Sequence, residues 1–438
     1  MTTAANNGRS ITFLHVADMH LGAPVRGLAS VDSEWAARLA RAIPEAFERV
    51  IRIALSRKVD FVVLAGDAFD SSRPSYAERL LFFEGLSRLD AAGIPLYMVA
   101  GNHDPYTVWA RDVELLPESA RMLGVEGPEY ALFCRDDEPL CLIGGRSYFN
   151  QTWPSSESII EGLTRTHAVT ALGTDAPFAV GVVHTGLDLD KNKAPADDAE
   201  LLESGFDYWA CGHLHRATVR PSYDDPRIVS SGCIQGRDIK ETGERGCFLV
   251  TLTEAPGTGG LPAGAQGSIA QIEFVPTSSV LLEHVKVDVS ACRTLGDLVR
   301  HVAASLFAEN GKAHCDEMVT RITLTGETRL HRFLAQPKVL ADLRKQINDS
   351  YPTFFCDALI DRTTQLDTGE VHDTQLFQRV FADIATEQRV HDEASVNYVQ
   401  HEFVKRGISV PASLSRHVAE FNDVAEALVA DLLREEDE

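Results

Sequence analysis

The feature that most constrains this chain is a regular alternation of apolar runs and amphipathic stretches in its first hundred residues. Residues 11–17, 59–65 and 94–100 are apolar runs of strand length. Between them, residues 34–57 and 75–91 carry apolar side chains three or four positions apart, which is the spacing of one helix face. This β-α-β-α-β order predicts an α/β fold in which helices cover the outer faces of the strands.

The same alternation predicts that sheet structure continues well beyond these elements. Further strand-like runs occupy residues 140–144, 178–184, 206–211, 227–230 and 247–252. Residues 254–268 are rich in Gly, Ala and Pro and predict a loop, and the strand-like IAQIEFV after them predicts a hairpin. In the helix at 75–91, the side chains expected to face inward are Leu80, Leu81, Phe83 and Leu86.

Polar side chains of the metal-binding type follow five of the predicted strands. In chain order they are Asp18 and His20, then Asp67, then Asn102, His103 and Asp104, then His184, and finally His213 and His215. In sheets covered by helices, ligands gather at the carboxyl ends of the strands. We therefore expect five separate strand ends to converge on one pocket.

The spacing and chemistry of these side chains suit metal ions. In the D-x-H and H-x-H motifs, residues i and i+2 of an extended segment project to the same side and can share an ion. Carboxylate, imidazole and amide ligands without thiolates favour Mn, Fe or Zn. Seven candidate ligands are too many for one ion, whereas two ions about 3.5–4 Å apart that share a carboxylate fit the number. Each motif alone is more often a turn or a core histidine, but their occurrence in order after five strands favours the metal site.

The chain is strongly acidic, with 41 Lys and Arg against 64 Asp and Glu and a formal net charge of −23. This balance argues against a protein that holds nucleic acid on a broad basic face, because neutralising phosphates needs Lys and Arg. It does not exclude a nucleic-acid enzyme whose positive charge comes from metal ions or from a partner subunit. Arginines near the motif loops that could contact a phosphate backbone are Arg26, Arg73, Arg216, Arg220 and Arg237.

Cysteine usage and hydropathy indicate the cellular compartment. The eight cysteines are scattered without a CxxC pair, which favours reduced, mostly buried thiols. No apolar run approaches the length of a membrane span, and the first ten residues lack the basic and apolar regions of a secretory signal. We therefore expect a cytoplasmic protein without a membrane partner.

The second half of the chain predicts two further segments. Residues 10–277 are expected to form the first domain, and residues 278–365 a smaller α/β unit in which a helix at 294–308 lies between two strands. Residues 366–438 are predicted to form an acidic helical tail, with an apolar stripe over 413–434 that would dock on the body or on a partner.

The five motifs together resemble the signature of the calcineurin-like metallophosphoesterases, D-x-H, G-D, G-N-H-[DE], H and G-H-x-H in this order. Within that superfamily the chain resembles the DNA-repair exonuclease branch, which includes the SbcD and Mre11 nuclease subunits and YhaO-like proteins. The stretches that carry this second resemblance are HVADMHLG, GDAFDSSRPS, SGCIQGRDIKETGERGC and VTRITLTGETRLHRFL. The resemblance implies a four-layer α-β-β-α sandwich for the nuclease domain and a capping role for the smaller α/β domain.

The resemblance also implies a role for each motif residue. The first metal would be bound by Asp18, His20 and His215, and the second by Asn102, His184 and His213. Asp67 would bridge the two metals. His103 would contact the scissile phosphate as the catalytic histidine, and Asp104 would orient its imidazole. Asp70 stands where the eukaryotic and archaeal nucleases often carry a histidine, and it is not counted as catalytic.

The activity implied by the resemblance is hydrolysis of DNA phosphodiesters with two divalent ions, manganese above all, with magnesium, iron and zinc as alternatives. It would be a 3′→5′ exonuclease with some endonuclease activity in DNA repair. The implied partners are DNA, an SMC-like ATPase related to SbcC or YhaN, and a second copy of the chain in a homodimer. Two other functions stay open, namely a phosphatase or phosphodiesterase of small substrates and a catalytically silent scaffold subunit.

Overall fold

The computed structural model describes residues 9–28, 31–154, 156–190, 193–255 and 268–366. The strands, in chain order, are β1 Ser10–Val16, β2 Phe61–Ala65, β3 Leu96–Val99, β4 Ala120–Met122, β5 Glu129–Arg135, β6 Glu138–Arg146, β7 Phe178–His184, β8 Tyr208–Gly212, β9 Thr218–Ser222, β10 Asp225–Ser230, β11 Gly246–Glu254, β12 Ser268–Pro276, β13 Val280–Asp288, β14 Glu317–Thr328 and β15 Phe354–Gln365.

Several helices begin where the sequence supplies a capping side chain. Asp32 accepts a hydrogen bond from the Trp35 backbone N–H at 2.8 Å, and Ser75 forms a reciprocal capping box with Glu78. These residues start the two long helices of the first hundred residues. The helices, in chain order, are α1 Ser33–Arg57, α2 Tyr76–Ala91, α3 Tyr106–Trp109, α4 Arg165–Leu172, α5 Asp198–Glu203, α6 Leu295–Asn310, α7 His331–Leu334 and α8 Pro337–Ser350.

Two six-stranded mixed sheets form the centre of the first half of the chain. The first sheet has the order β12-β11-β1-β2-β3-β4, and the second has the order β5-β6-β7-β8-β10-β9. Strands β1, β2 and β3 are parallel neighbours in the first sheet, and β7 and β8 are parallel neighbours in the second. The carboxyl ends of these five strands are the positions from which the predicted ligands extend.

The inner faces of the two sheets pack against each other. Phe13 of β1 stacks on Phe61 of β2 with ring centroids 4.9 Å apart, and Tyr208 of β8 meets Phe13 edge-on at 5.5 Å. On the outer face of the first sheet, α1 and α2 bury Phe47 and Phe82. Burial of such large aromatic side chains in contact with each other is a major favourable contribution to folding.

The outer face of the second sheet is covered as well. Trp209 and Phe206 are fully buried there, together with Ala168 of α4 and Leu201 of α5. The sequence of layers is therefore helices, sheet, sheet, helices, and the predicted four-layer sandwich is confirmed. The predicted hairpin is also present, because β12 pairs antiparallel with β11.

One detail of the helix prediction was wrong. In α2 the buried large side chains are Phe82, Leu86 and Leu89, whereas Leu80 is 44% exposed. The run LLFF places apolar side chains on more than one face, so packing against the sheet rather than spacing selects the buried one. Within the described ranges, no helix is both long enough and apolar enough to cross a membrane.

The described residues divide into two compact units. One holds the residues up to Val285 with Ser305–Arg321 and Ile347–Ala358, and the other holds Lys286–Ala304, Ile322–Gln346 and the residues from Leu359 onward. The C-terminal part contains a three-stranded sheet of order β13-β14-β15 and the helices α6 and α8, which agrees with an additional α/β domain. The predicted boundary after residue 277 stays a prediction, and the predicted tail beyond residue 366 lies outside the described residues.

Candidate metal centre

The loops after β1 and β2 lie side by side and are joined through their backbones. The Asp18 N–H donates to the Gly66 carbonyl at 3.1 Å, and the His20 N–H donates to the Asp67 carbonyl at 3.0 Å. Leu21 continues the pairing with Ala68 at 2.8 Å. This backbone pairing fixes three of the predicted ligands next to one another.

Four predicted ligands occupy the left-handed backbone region, which non-glycine residues seldom adopt. Their φ angles are 49° for Asp18, 47° for His20, 55° for Asp67 and 86° for His213. Each such residue costs on the order of 1–3 kcal/mol and persists only where its surroundings impose it. Strain of this kind clusters at functional sites, and here it coincides with the residues that the sequence selected.

One group of side chains gathers Asp18, His20 and His215. The His20 Nε2 atom lies 3.8 Å from Asp18 Oδ1 and 3.2 Å from His215 Nε2. One donor atom from each of these three residues lies within 4.8 Å of the others. This spacing suits ligands arranged around one cation, as predicted for the first metal.

A second group gathers Asn102, His184 and His213. The Asn102 Oδ1 atom lies 3.1 Å from His184 Nε2 and 3.1 Å from His213 Nδ1. All three side chains come from different strand ends, namely those of β3, β7 and β8. These are the three residues predicted for the second metal.

Asp67 lies between the two groups. Its Oδ2 atom is 3.7 Å from His20 Nε2 and 3.4 Å from His184 Nε2, while its Oδ1 atom accepts the His103 backbone N–H at 2.8 Å. One carboxylate oxygen therefore faces both groups and the other is held by the backbone. This is the position that a bridging carboxylate needs.

Three of the four imidazoles have a second hydrogen-bonded polar neighbour on the other ring nitrogen. His184 Nδ1 lies 2.9 Å from the Ala65 carbonyl, His215 Nδ1 lies 2.5 Å from Glu241 Oε1, and His213 Nε2 lies 3.4 Å from Asp190 Oδ2. A carbonyl can only accept, so the proton of His184 is on Nδ1 and the lone pair is on Nε2. Such outer partners fix the tautomer and orientation of metal-binding histidines.

The ionisation of two histidines of the cluster also fits bound cations. Burial lowers the pKa of His20 well below its usual value and that of His213 to about 4, so both are neutral near pH 7. Burial lowers the pKa of His215 as well, but the hydrogen bond with Glu241 and the charge of Asp18 leave it raised overall. A neutral imidazole and an ionised carboxylate are the forms that bind divalent ions, and here such groups lie 3–4 Å apart. The donor set therefore fits two such ions.

His103 and Asp104 have different surroundings from those predicted. The His103 side chain is 35% exposed, and its Nδ1 atom lies 2.9 Å from the Asp70 carbonyl. The buried Asp104 carboxylate accepts the backbone N–H groups of Gly101 and Phe69, both at 3.1 Å. The structure thus corrects the role given to Asp104, which ties together the loops after β2 and β3, whereas the Asp70 carbonyl orients the His103 ring.

Sequence reasoning missed the contacts of Asp70 and Glu241. The Asp70 carboxylate forms a short ion pair with Arg237 and a second one with Arg26 at 3.3 Å, and it also lies 3.4 Å from His20 Nδ1. Asp70 follows the second predicted strand together with Asp67 but was not counted as catalytic, and Glu241 stands at no spacing that predicts a site. Glu241 falls in the segment SGCIQGRDIKETGERGC, so the resemblance pointed to its neighbourhood but not to the residue.

The structure also distinguishes among the five candidate arginines. Arg26 and Arg237 pair with Asp70, and Arg220 lies 2.8 Å from both Asp188 and Asp198. Arg73 and Arg216 are exposed, and no ion pair is formed by their side chains within the described part of the chain. These two remain available for an external phosphate.

Comparison with known proteins gives two matching families. Residues 11–217 match the calcineurin-like phosphoesterase family, and residues 283–364 match the middle domain of the metallophosphoesterase YhaO. The chain is 30% identical over 318 residues to the uncharacterized metallophosphoesterase YhaO of Bacillus subtilis, a match that covers 72% of each protein.

More distant relatives match shorter parts of the chain. The DNA double-strand break repair protein Mre11 of Thermoplasma acidophilum is 29% identical over 212 residues, which cover 46% of this chain and 51% of that protein. The SbcD component of the nuclease SbcCD of Bacillus subtilis is 34% identical over 92 residues, 21% of each protein. The chain therefore belongs to the calcineurin-like metallophosphoesterases, hydrolases that use a pair of divalent metal ions, and within them to the branch of YhaO, Mre11 and SbcD.

Proposed function

We propose that this protein is a DNA nuclease that removes nucleotides in the 3′→5′ direction and also cuts internally. The observation that carries the proposal is the position of Asp67 Oδ2 between the His20 and His184 imidazoles, at 3.7 and 3.4 Å. A carboxylate shared between two groups of ligands is what two-metal phosphodiester hydrolysis requires.

The chemistry divides between bound ions and the side chains of the chain. Two divalent ions, which we propose to be manganese, would lower the pKa of a water molecule and offset the charge that develops on the phosphate oxygens. The Asp18, His20 and His215 group would hold one ion, and the Asn102, His184 and His213 group the other. Asp67, whose Oδ2 faces both groups, would be shared by the two ions.

His103 is the group of this site best placed to move a proton. Its ring centroid lies 4.8 Å from that of His20, and its exposure leaves room for a substrate beside it. Because Nδ1 donates to the Asp70 carbonyl, a proton for the leaving sugar oxygen would have to be carried on Nε2. A positioned acid of this kind contributes about 10²–10⁴-fold to a rate.

DNA as the substrate is supported by the relatives rather than by the charge of the chain. Mre11 is described as a DNA double-strand break repair protein and SbcD as part of a nuclease, and the chain is similar to both. With a net charge of −23, the chain has few cations to spare for a phosphate backbone. We therefore propose that an SMC-type ATPase partner supplies much of the DNA-binding surface during DNA repair in the cytoplasm.

The proposal is tested with the purified full chain, manganese, and three substrates. End-labelled double-stranded and single-stranded DNA report nuclease activity and its polarity, and bis-p-nitrophenyl phosphate reports the metal site alone. Degradation of DNA from the 3′ end supports the proposal. Hydrolysis of the small ester alone would instead indicate a phosphodiesterase of small substrates, and no hydrolysis of either would indicate a scaffold protein.

The partner is tested separately from the chemistry. The full chain and a chain that ends at residue 366 are each used to capture the ATPase from extract, with the captured protein identified by its sequence and ATPase activity. Recovery with the full chain alone would support docking through residues 367–438. Equal recovery with both would assign the docking site to the rest of the chain, and light scattering of each would report whether it dimerises.

A further inference from the structure

A second concavity adjoins the metal cluster and shares a wall with it. It has a volume of about 580 Å³, and its lining includes His215, Arg216, Tyr223, Lys240 and Arg245. Since His215 also belongs to the predicted first metal group, an occupant of this concavity would be a direct neighbour of the scissile phosphate. None of the ligand groups described above uses the remaining lining residues.

The Arg and Lys side chains that line this concavity form no ion pair among the described residues. Arg245 is buried, its Nη1 and Nη2 atoms donate to the His215 and Thr242 carbonyls at 2.6 Å, and its Nε atom lacks a hydrogen-bond partner among the described residues. Arg216 and Lys240 are exposed, and neither forms a side-chain ion pair with any described residue. A buried guanidinium that meets only carbonyls retains a positive charge that an anion can offset.

The acids that line the same concavity are already engaged. Glu241 accepts from His215 and from the Arg237 backbone N–H, at 2.5 and 2.7 Å. Glu244 Oε1 accepts the His314 backbone N–H at 2.7 Å, and Glu283 Oε1 accepts that of His284 at 2.9 Å. None of these carboxylates forms an ion pair with Arg216 or Lys240 among the described residues, so both cations remain donors for an external ligand.

An exposed aromatic side chain completes the concavity. Tyr223 is 65% exposed and lies in the turn between β9 and β10, so its ring contributes little to the core. Aromatic rings exposed beside cationic side chains are the platforms on which unpaired nucleobases stack, whatever the base. A phosphate group beside a planar base is the chemistry that these neighbouring side chains would recognise.

We infer that this concavity is a nucleotide subsite for an unpaired DNA strand. Arg216 and Lys240 bind the phosphate next to the scissile one, with the charge of Arg245 behind them, and Tyr223 stacks on the base. The inference rests on the proposed nuclease function and adds to it a single-stranded substrate path on the His215 side of the metal cluster. A substrate without a second nucleotide, such as bis-p-nitrophenyl phosphate, gains nothing from this subsite.

The test compares Tyr223→Ala and the double variant Arg216→Ala/Lys240→Ala with wild type. The matched control is Arg52→Ala/Lys58→Gln, which removes two exposed cations from α1 and its C-terminal cap and leaves the concavity intact. The readouts are the kcat and KM for single-stranded oligonucleotides and for bis-p-nitrophenyl phosphate, and the affinity for a phosphorothioate oligonucleotide that resists hydrolysis.

Each subsite variant is expected to raise the oligonucleotide KM about tenfold and to leave the kinetics of the small ester unchanged. The double variant should also flatten the dependence of log affinity on log salt concentration by about 0.7, since both cations contact one phosphate and each single-strand phosphate contact contributes about 0.7. Oligonucleotide KM and salt dependence equal to those of the control would overturn the subsite.

The same data distinguish the subsite from the nuclease proposal. If wild type cleaves DNA and the subsite variants behave like the control, the subsite is refuted and the nuclease proposal is retained. Wild type that cleaves only the small ester, yet binds the phosphorothioate strand through Tyr223 and Arg216, refutes the nuclease and retains the subsite. An equal fall in small-ester hydrolysis in the subsite variants would show damage to the metal cluster and contradict the inference.

Discussion

The Nδ1 atom of His215 lies 2.5 Å from the Oε1 atom of Glu241. This contact raises the pKa of the imidazole, because the Glu241 hydrogen bond and the charge of Asp18 outweigh the effect of burial, and it leaves Nε2 facing the cluster. Glu241 also accepts the Arg237 backbone N–H at 2.7 Å, so its carboxylate is fixed from two sides. An outer carboxylate held in this way makes a metal-binding histidine more basic and fixes its direction.

We expect Glu241→Gln to weaken manganese binding about 10–100-fold, because an amide offers His215 a weaker acceptor than a carboxylate. Isothermal titration calorimetry of metal-free protein measures the change directly. The control is Glu244→Gln, since Glu244 lies three residues away and bonds His314 instead. Equal manganese affinity in Glu241→Gln and wild type would show that the contact is structural only.

His103 and Asp67 are expected to differ sharply in their effects. His103→Ala should slow phosphodiester hydrolysis about 10²–10⁴-fold and retain two metal ions, because the ring is held by the Asp70 carbonyl and lies beside His20 and Asp67 rather than among the seven predicted ligands. Asp67→Ala should lose metal as well as activity, because Asp67 Oδ2 faces both groups of ligands. Elemental analysis beside an activity assay separates the two effects. Full activity of Asp67→Ala after chelation and manganese addition would rule out the two-metal arrangement.

The layered α/β core could be predicted because its strands and helices have strong apolar patterns. Strands β4, β5, β9 and β15, each at the edge of its sheet, were not predicted. Strand β4 has three residues, and β9 has no fully buried residue, so neither differs from a loop by hydropathy. The buried face of α2 was predicted wrongly for a related reason, since Phe82 rather than Leu80 packs against the sheet.

The predicted ligands were identifiable because each follows a strand and combines a metal-binding side chain with a turn. The outer partners were not, because their positions result from tertiary folding. Glu241 is 26 residues from His215, and Asp70 meets Arg237 across 167 residues. The role given to Asp104 failed because adjacency to His103 in sequence suggested contact, whereas the carboxylate instead accepts the Gly101 and Phe69 backbone N–H groups.

Gly101→Ala is expected to disrupt the cluster without introducing a charge. A Cβ atom at Gly101 would lie 2.1 Å from Asp67 Oδ1 and 2.6 Å from the Asp67 backbone nitrogen, so the bridging carboxylate must move. A displacement of about 1 Å in such a site costs about 100-fold in rate. Gly127→Ala is the control, because a Cβ there meets nothing within 4 Å. If Gly101→Ala matched this control in rate and metal content, the position of Asp67 would not matter.

The buried His15 side chain should make the free energy of unfolding depend on pH. It is fully buried between the sheets, its Nδ1 lies 2.9 Å from the Tyr208 hydroxyl, and burial lowers its pKa to about 3. The unfolded chain, with a histidine pKa of about 6.5, binds more protons than the folded one between pH 6.5 and about 3, so stability falls as the pH drops through this window. From pH 7 to pH 5, His15 should account for about 2 kcal/mol of lost unfolding free energy, at up to 1.36 kcal/mol per pH unit.

Urea unfolding of metal-free His15→Asn should therefore show a loss of unfolding free energy smaller by about this amount than that of wild type, whatever the absolute stability of the variant. Parallel pH dependence in the two proteins would mean that His15 is protonated as easily in the folded state as in the unfolded one.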